Sequence, residues 1–429
     1  MMKLVSILLA AMMLLTWLPT IAETADKPLA GKEIEVALNY SDAPLETLTA
    51  IIEKFTEETG VVVNISTYGS DYETVLKTRM GSNSLPDVWS THGWAVLRYG
   101  EYLLPLNDEP WYQYQAESIL GGIQDDNGVG YCLAISESIN GLAYNADVCV
   151  AAGVDVTTIR TWDDFAAACE KVKNAGYTPI VIGGGSIGLM STIMNLVAPT
   201  YWTSDGAKYD LVAELQGGTF DWDTYGYEII DLIASWWEAG YINEDVLTLS
   251  ADDSVRMLTA GEGAFKIGGI EALVSSARNY YPDVNINFMP VPAVNADVKA
   301  TLLIGEGNGF GILKNSKELD AAKAFVEFLA RPENAAQINA VTASVSALTN
   351  VASGNETISA MLDEVSKNYE GSIHYDNIWD RKYFPSGMWA VMGTGMSFYF
   401  DDPTDEGKKA CVEYWAENYN NLYAESVAK

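Results

Sequence analysis

Residues 33–65, EIEVALNYSDAPLETLTAIIEKFTEETGVVVNI, contain one complete strand–helix–strand unit. Ile34, Val36 and Leu38 alternate with Glu33, Glu35 and Ala37, the period of two that marks a strand. Asp42 or Ala43 is placed to cap the next element, and Pro44 suits a first helical turn, where its missing N–H costs nothing. Leu45, Leu48, Ile52 and Phe55 then fall on one helical face, and Gly60 ends the helix. The run from Val61 to Ile65 returns as a buried strand, because β-branched side chains fit a pleated surface.

Working outward, the pattern repeats. A second helix carries Tyr72, Val75, Leu76 and Met80 on one side, and Leu85 to Trp89 reads as the next strand. Alternation at this pace builds βαβ units and a largely parallel sheet, which makes the chain an α/β protein. Gln124-Asp125-Asp126-Asn127-Gly128 is a turn that leads into a strand from Val129 to Ile135. Thr161 caps a helix whose inner face is Trp162, Phe165, Cys169 and Val172. Ala321, Ala324, Phe325, Phe328 and Leu329 mark another helix, stopped by Arg331-Pro332. The last helix carries Val412, Trp415, Ala416, Tyr419 and Leu422.

At 429 residues and 48% hydrophobic, the chain holds more than one ordinary core. No internal repeat or low-complexity linker separates its parts, so two lobes would be joined by short crossings. The N-terminus differs from the rest: Met1-Met2-Lys3, an apolar run from Leu4 to Leu18, Pro19, then small residues at Thr20, Ala22 and Ala25. That is a secretory signal peptide, residues 1–22, with cleavage after Ala22 or Ala25. The apolar run is short for a bilayer span of ~20 residues. No Cys lies near the cleavage point, so no lipid-attachment signature is present, and the mature protein is expected outside the cytoplasm as a soluble monomer.

A net charge of −33 argues against nucleic acid, because phosphate binding needs clustered Lys and Arg. It suits solubility outside the cell. Cys132, Cys149, Cys169 and Cys411 show no C-x-x-C spacing. They are either disulfides or buried thiols, and Cys169 on an apolar helical face fits the thiol reading.

Several ordered segments resemble the extracellular solute-binding protein family 1, the carbohydrate-type group that includes maltose-binding proteins. Gly141-Leu142-Ala143-Tyr144-Asn145-Ala146-Asp147, then Ala152-Gly153-Val154 and Thr161-Trp162-Asp163-Asp164-Phe165, is the most specific match. Similar to the family's pattern are also Gly81 with Leu85-Pro86-Asp87-Val88, the hairpin Asp126-Asn127-Gly128-Val129-Gly130-Tyr131, Gly261-Glu262-Gly263-Ala264-Phe265 with Gly268-Gly269, and Lys314-Asn315-Ser316-Lys317 with Ala321 to Leu329. Ser136 stands where the family usually has Pro, and Ile270 where it usually has Trp. The resemblance implies a two-lobed periplasmic-binding-protein fold of type II, with two mixed sheets flanked by helices, a hinge and an interlobe cleft. Residues 27–137 plus 300–350 would form the N-terminal lobe, and 138–299 plus 351–429 the C-terminal lobe. It further implies capture of a carbohydrate, an oligosaccharide, and delivery to the membrane permease of an ABC importer by lobe closure.

Sugar recognition needs flat apolar faces for the C–H surface and planar polar groups for the hydroxyls. Loops after the C-terminal ends of strands face the ligand crevice in open α/β sheets. By that rule Tyr40 and Asp42 lie at the first strand's exit, Trp89, His92 and Trp94 at the exit of Leu85–Trp89, and Glu137 beyond Val129–Ile135. Trp202 lies in a loop reading of Tyr201-Trp202-Thr203-Ser204-Asp205-Gly206, and Gly307-Asn308-Gly309 offers close backbone access and the Asn308 amide. Residues 379–389 are aromatic, charged and broken by Pro and Gly, which nominates Trp379, Asp380 and Trp389. Trp236 and Trp237 sit mid-helix and read as core or helix surface.

Two rival functions are a binding protein for a non-sugar solute and a secreted glycoside-acting enzyme. With only His92 and His374, a Ser-His-Asp or Cys-His site has little room, and no carboxylate pair is marked out by a motif. Asp221-x-Asp223-x-Tyr225-Gly226 begins like a calcium loop but places Leu232 at the final ligand position. Gly183-Gly184-Gly185-Ser186-x-Gly188 lacks the lysine of a phosphate-binding loop. No catalytic residue, metal or cofactor is therefore expected.

Overall fold

Two sheets organise the chain in the computed structural model, which describes residues 27–91, 96, 99–203, 207–269, 284–307, 309–342, 344–352 and 356–427. The signal-peptide reading falls on 1–26 and lies outside the described residues. The first sheet has the order β2-β1-β3-β10-β4, with β1 Glu33–Leu38, β2 Val62–Thr67, β3 Val88–Thr91, β4 Leu133–Ala134 and β10 Gly309–Ile312. The second has the order β12-β9-β5-β7-β6, with β5 Ser136–Asn145, β6 Thr178–Val181, β7 Gly263–Gly269, β9 Ala300–Glu306 and β12 Ile373–Asn377. Two further strands, β8 Ile286–Met289 and β11 Val345–Ser346, also pair with β5.

The opening unit folds as strand, helix and strand, but its second strand is not the buried one expected: β2 is the sheet's edge, pairs only with β1 among the described strands, and leaves Val62 and Ile65 exposed while Val61 before it is buried. Helix Asp42–Thr59 buries Leu48, Ile51, Ile52 and Phe55, and Gly60 closes it in the left-handed region (φ 75), donating its N–H to Thr56. Helix Trp162–Asn174 opens with a reciprocal capping box between Thr161 and Asp164 and buries Trp162, Phe165, Cys169 and Val172. Cys132, Cys149, Cys169 and Cys411 are all buried free thiols, which decides between the two cysteine readings. Asp221 is the N-cap of helix Trp222–Glu238, accepting from the Thr224 N–H.

Strand direction matters most for function. β1 runs parallel to β2 and β3, while β10 and β4 are antiparallel neighbours whose register puts Gly309 opposite Thr91 and Ala134. The exits of β1, β2 and β3 therefore lie at the end of the first sheet where the chain crosses to the second. In the second sheet β6 runs parallel to β7 and β12 parallel to β9, and both β7 and β9 are antiparallel to β5, which starts at the crossing. The exits of β6, β7, β9 and β12 thus point back toward the first sheet. Both sheets present their C-terminal strand ends to one shared gap, the position where open α/β sheets take ligands.

The crossings are bonded to each other. Glu137 pairs with Val345 on one side and Glu306 on the other, Gly307 donates to the Ser136 carbonyl at 2.7 Å, and Ala347 donates to that of Ile135 at 3.0 Å. A Cβ at 307 would stand 2.6 Å from Ser136 Oγ, so a larger residue there would push that side chain aside.

Four strand and lobe readings shift. β3 begins three residues later than the Leu85–Trp89 pattern, and Val129–Ile135 shrinks to the short β4 because β5 starts at once, at Ser136. Residues 300–306, expected in the first lobe, belong to the second sheet, so the return crossing lies between Glu306 and Gly309. Helix Glu356–Asn368, expected in the second lobe, sends Ile358 and Val365 with Tyr369 into the core cluster of the first sheet. That cluster continues onto one face of β9, through Ala300, Leu302 and Ile304. All of β9 is buried, so its composition carries no sign of which sheet it joins.

Candidate ligand-binding site

The second lobe's rim is built on helix Ile187–Trp202, which follows β6 through the glycine turn 183–185. Two buried polar side chains on this helix hold the neighbouring segment. Asn195 Oδ1 accepts from the Asp380 N–H at 3.1 Å, and Ser191 Oγ donates to the Trp389 carbonyl at 2.6 Å. Residues 191 and 195 are one turn apart, about 6 Å along the axis. Helix Trp379–Tyr383 and the start of helix Met388–Asp401 are thereby set side by side at the strand ends. The Trp389 indole stays 36% exposed beside Gly188, an open apolar face.

Next to it lies an ion pair. Arg381 Nη1 donates to Glu306 Oε1 at 2.6 Å and to the Glu306 carbonyl at 2.8 Å. Glu306 ends β9 and is 1% exposed, while the Arg381 side chain is 21% exposed. Helix Glu117–Ile123 covers the carboxylate: a Cβ at Gly122 would sit 2.8 Å from Glu306 Oε2. Burial pushes the Glu306 carboxyl up to about 7, against the pull of the Arg381 guanidinium, with Asp380 adding to the rise. Glu137, directly opposite Glu306 in the register, is also raised by burial, although Ser118 Oγ donates to its Oε1 at 2.6 Å. Across the second sheet, burial lowers Lys266 on β7 to about 8.

Of the residues nominated from sequence, the structure brings Asp380 and Trp389 together on the second lobe's rim. Tyr40 and Asp42 follow β1, at the strand ends of the first sheet. Tyr40 stacks on Phe310 at 6.3 Å with its hydroxyl buried and without a hydrogen-bond partner among the described residues, and burial raises its pKa. Asp42 is exposed, with φ 50 at the first residue of its helix. Glu137 is the second residue of β5, inside the hinge and not in a loop beyond a strand.

Three tryptophans are corrected. Trp89 is fully buried with Tyr72, Leu76 and Tyr99, because β3 continues two residues past it. Trp202 is not in a loop but in the last turn of its helix, enclosed by Phe220, Trp222 and Trp379 at 4.7, 6.1 and 5.6 Å. Trp379 is fully buried, packs on Phe384 at 4.5 Å, and gives its Nε1–H to Thr203 Oγ1 at 2.7 Å. The aromatic richness of 379–389 thus serves the second lobe's own core, and only Trp389 keeps a face toward solvent. His92, Trp94 and Asn308 lie outside the described residues.

Sequence reasoning missed Arg381, Glu306 and Asn195. Arg381 stood inside the nominated 379–389 segment, so the signal was present. Glu306 and Asn195 had none, since a carboxylate at the end of an apolar strand and an amide in an apolar helix acquire meaning only from their partners.

The pattern of the bacterial extracellular solute-binding proteins matches residues 41–336. The chain belongs to that family. This solute-binding protein is 28% identical over 401 residues to the melibiose/raffinose/stachyose-binding protein of Bacillus subtilis, covering 92% of each chain. It superimposes on a Bacillus subtilis binding protein in an open conformation with a TM-score of 0.84 at 25% identity, covering 93% of this chain and 99% of that one. A Bacillus licheniformis sugar transporter protein in complex with stachyose gives a TM-score of 0.77 at 28% identity, over 91% and 100%. The family places the protein outside the cytoplasm and makes solute capture its role, which agrees with the segment order 141–165 that carried the resemblance. Among the described residues no helix is long and apolar enough to cross a membrane, and no group of His, Cys, Asp and Glu is arranged to hold a metal ion.

Proposed function

We propose that this protein captures an oligosaccharide between its two sets of strand ends and delivers it to the membrane permease of an ABC importer. The observation that carries the reading is the juxtaposition, one helical turn apart on Ile187–Trp202, of the open Trp389 indole and the Asp380-Arg381 turn. An indole face covers sugar C–H groups, and a carboxylate with a guanidinium answers hydroxyls. Tyr40 and Asp42, after β1, are the first lobe's contribution to this reading. The melibiose, raffinose and stachyose named for the relatives support a galactose-containing oligosaccharide as cargo. Lobe closure draws its free energy from the ligand's preference for the closed form.

The signal peptide, residues 1–22, directs export, and the mature protein works as a monomer. Its N-terminal mass after secretion reads the cleavage at Ala22 or Ala25.

Calorimetry of the mature protein against melibiose, raffinose, stachyose, amino acids and polyamines tests the cargo. Saturable binding to an oligosaccharide is expected, with a smaller radius of gyration in scattering when it binds. Binding confined to amino acids or polyamines would sink the carbohydrate reading, and turnover of a glycoside would make the protein an enzyme.

A further inference from the structure

The Glu306–Arg381 pair is built more elaborately than a surface salt bridge. Glu306 is buried, its backbone and side-chain oxygens both accept from Arg381 Nη1, and glycine at 122 lets a helix close over the carboxylate. This uses one edge of the guanidinium. Nε and Nη2 have no partner among the described residues, and the side chain keeps 21% exposure at the exit of β12, where the two lobes face each other. A planar fork held on one side and open on the other is pre-organised to donate paired hydrogen bonds.

We infer that Arg381 is a specificity-determining residue, donating from Nε and Nη2 to vicinal hydroxyls of the captured sugar, and that Glu306 is the positioning residue that aims it. This rests on the oligosaccharide reading. Burying the carboxylate has a stability cost, since a buried ion pair of this kind is often no better than apolar packing. Fixing the guanidinium before ligand arrives reduces the ordering that binding would otherwise require.

The experiment is calorimetry with raffinose and stachyose on wild type, Arg381→Gln, Arg381→Lys and the double variant Glu306→Gln/Arg381→Gln, each with a thermal melt. Lysine keeps the charge beside Glu306 but not the fork, so it separates anchoring from simple charge compensation. The expected result is a loss of about 10- to 100-fold in affinity for all three variants. The double variant should melt near wild type, because no unpaired buried charge remains, and it supplies the reading if Arg381→Gln does not fold. Sugar binding by wild type together with affinity within about threefold in the double variant, or full rescue by lysine, overturns the inference alone. Absence of any sugar binding by wild type overturns the oligosaccharide reading and the inference together.

Discussion

Ser191 Oγ donates to the Trp389 carbonyl at 2.6 Å, so the exposed indole is anchored through its backbone and not through its ring. The ring is therefore free to serve ligand. Trp389→Ala should lower oligosaccharide affinity by about tenfold or more while changing stability little, because its apolar face gains cover only on binding. Titration calorimetry beside a melt checks both halves, and unchanged affinity would remove Trp389 from the site.

Trp379 should behave in the opposite way. Trp379→Ala empties a fully enclosed volume among Trp202, Tyr383 and Phe384 and frees Thr203 Oγ1 from its bond. Core Trp→Ala substitutions cost about 3–5 kcal/mol. Urea unfolding should show a loss of that order, with sugar affinity of the folded protein retained near wild type.

Glu306 makes stability depend on pH in an unusual direction. Its folded pKa rises from 4.5 to about 7, so between those values the folded state holds the proton that the unfolded state has released. The stabilisation is complete below about pH 4.5 and is lost as pH rises through about 7. Among the described residues, Arg381 and Asp380 on the helix after β12, Glu137 on β5 and the buried Cys132 thiol are ionisable groups near it. Relative to Glu306→Gln, wild type should lose on the order of 2–3 kcal/mol between pH 5 and pH 8. A difference between the two proteins that stays constant over that range would show that Glu306 titrates normally.

Thiol chemistry gives a simple check of the packing of both cores, since Cys132 lies in the first sheet's core and Cys149, Cys169 and Cys411 in the second's. Burial raises all four cysteine pKa values, Cys149 to about 12 and Cys132, Cys169 and Cys411 well above the ordinary thiol value. A thiol-reactive dye should find no reactive cysteine in the native protein and four in denaturant, and reductant should leave the melting temperature unchanged.

Sequence alone determined the elements whose side chains are sorted by water. The alternation of Ile34, Val36 and Leu38, the helical faces of 42–59 and 162–174, the Thr161 cap and the Gly60 stop all follow from local periodicity and local hydrogen bonds, and each appears where expected. The family followed as well, because the ordered segments between Gly141 and Phe165 survive without three-dimensional information. Tertiary structure alone decided which sheet β9 joins, since a strand buried on both faces looks the same in either lobe. It also decided which aromatics meet ligand. Trp89, Trp202, Trp379 and Trp389 are chemically one residue type near strand or helix ends, and what separates them is whether a neighbouring element covers the ring. That cover comes from partners such as Tyr99, Phe220 and Phe384, distant in sequence and brought close only by the fold.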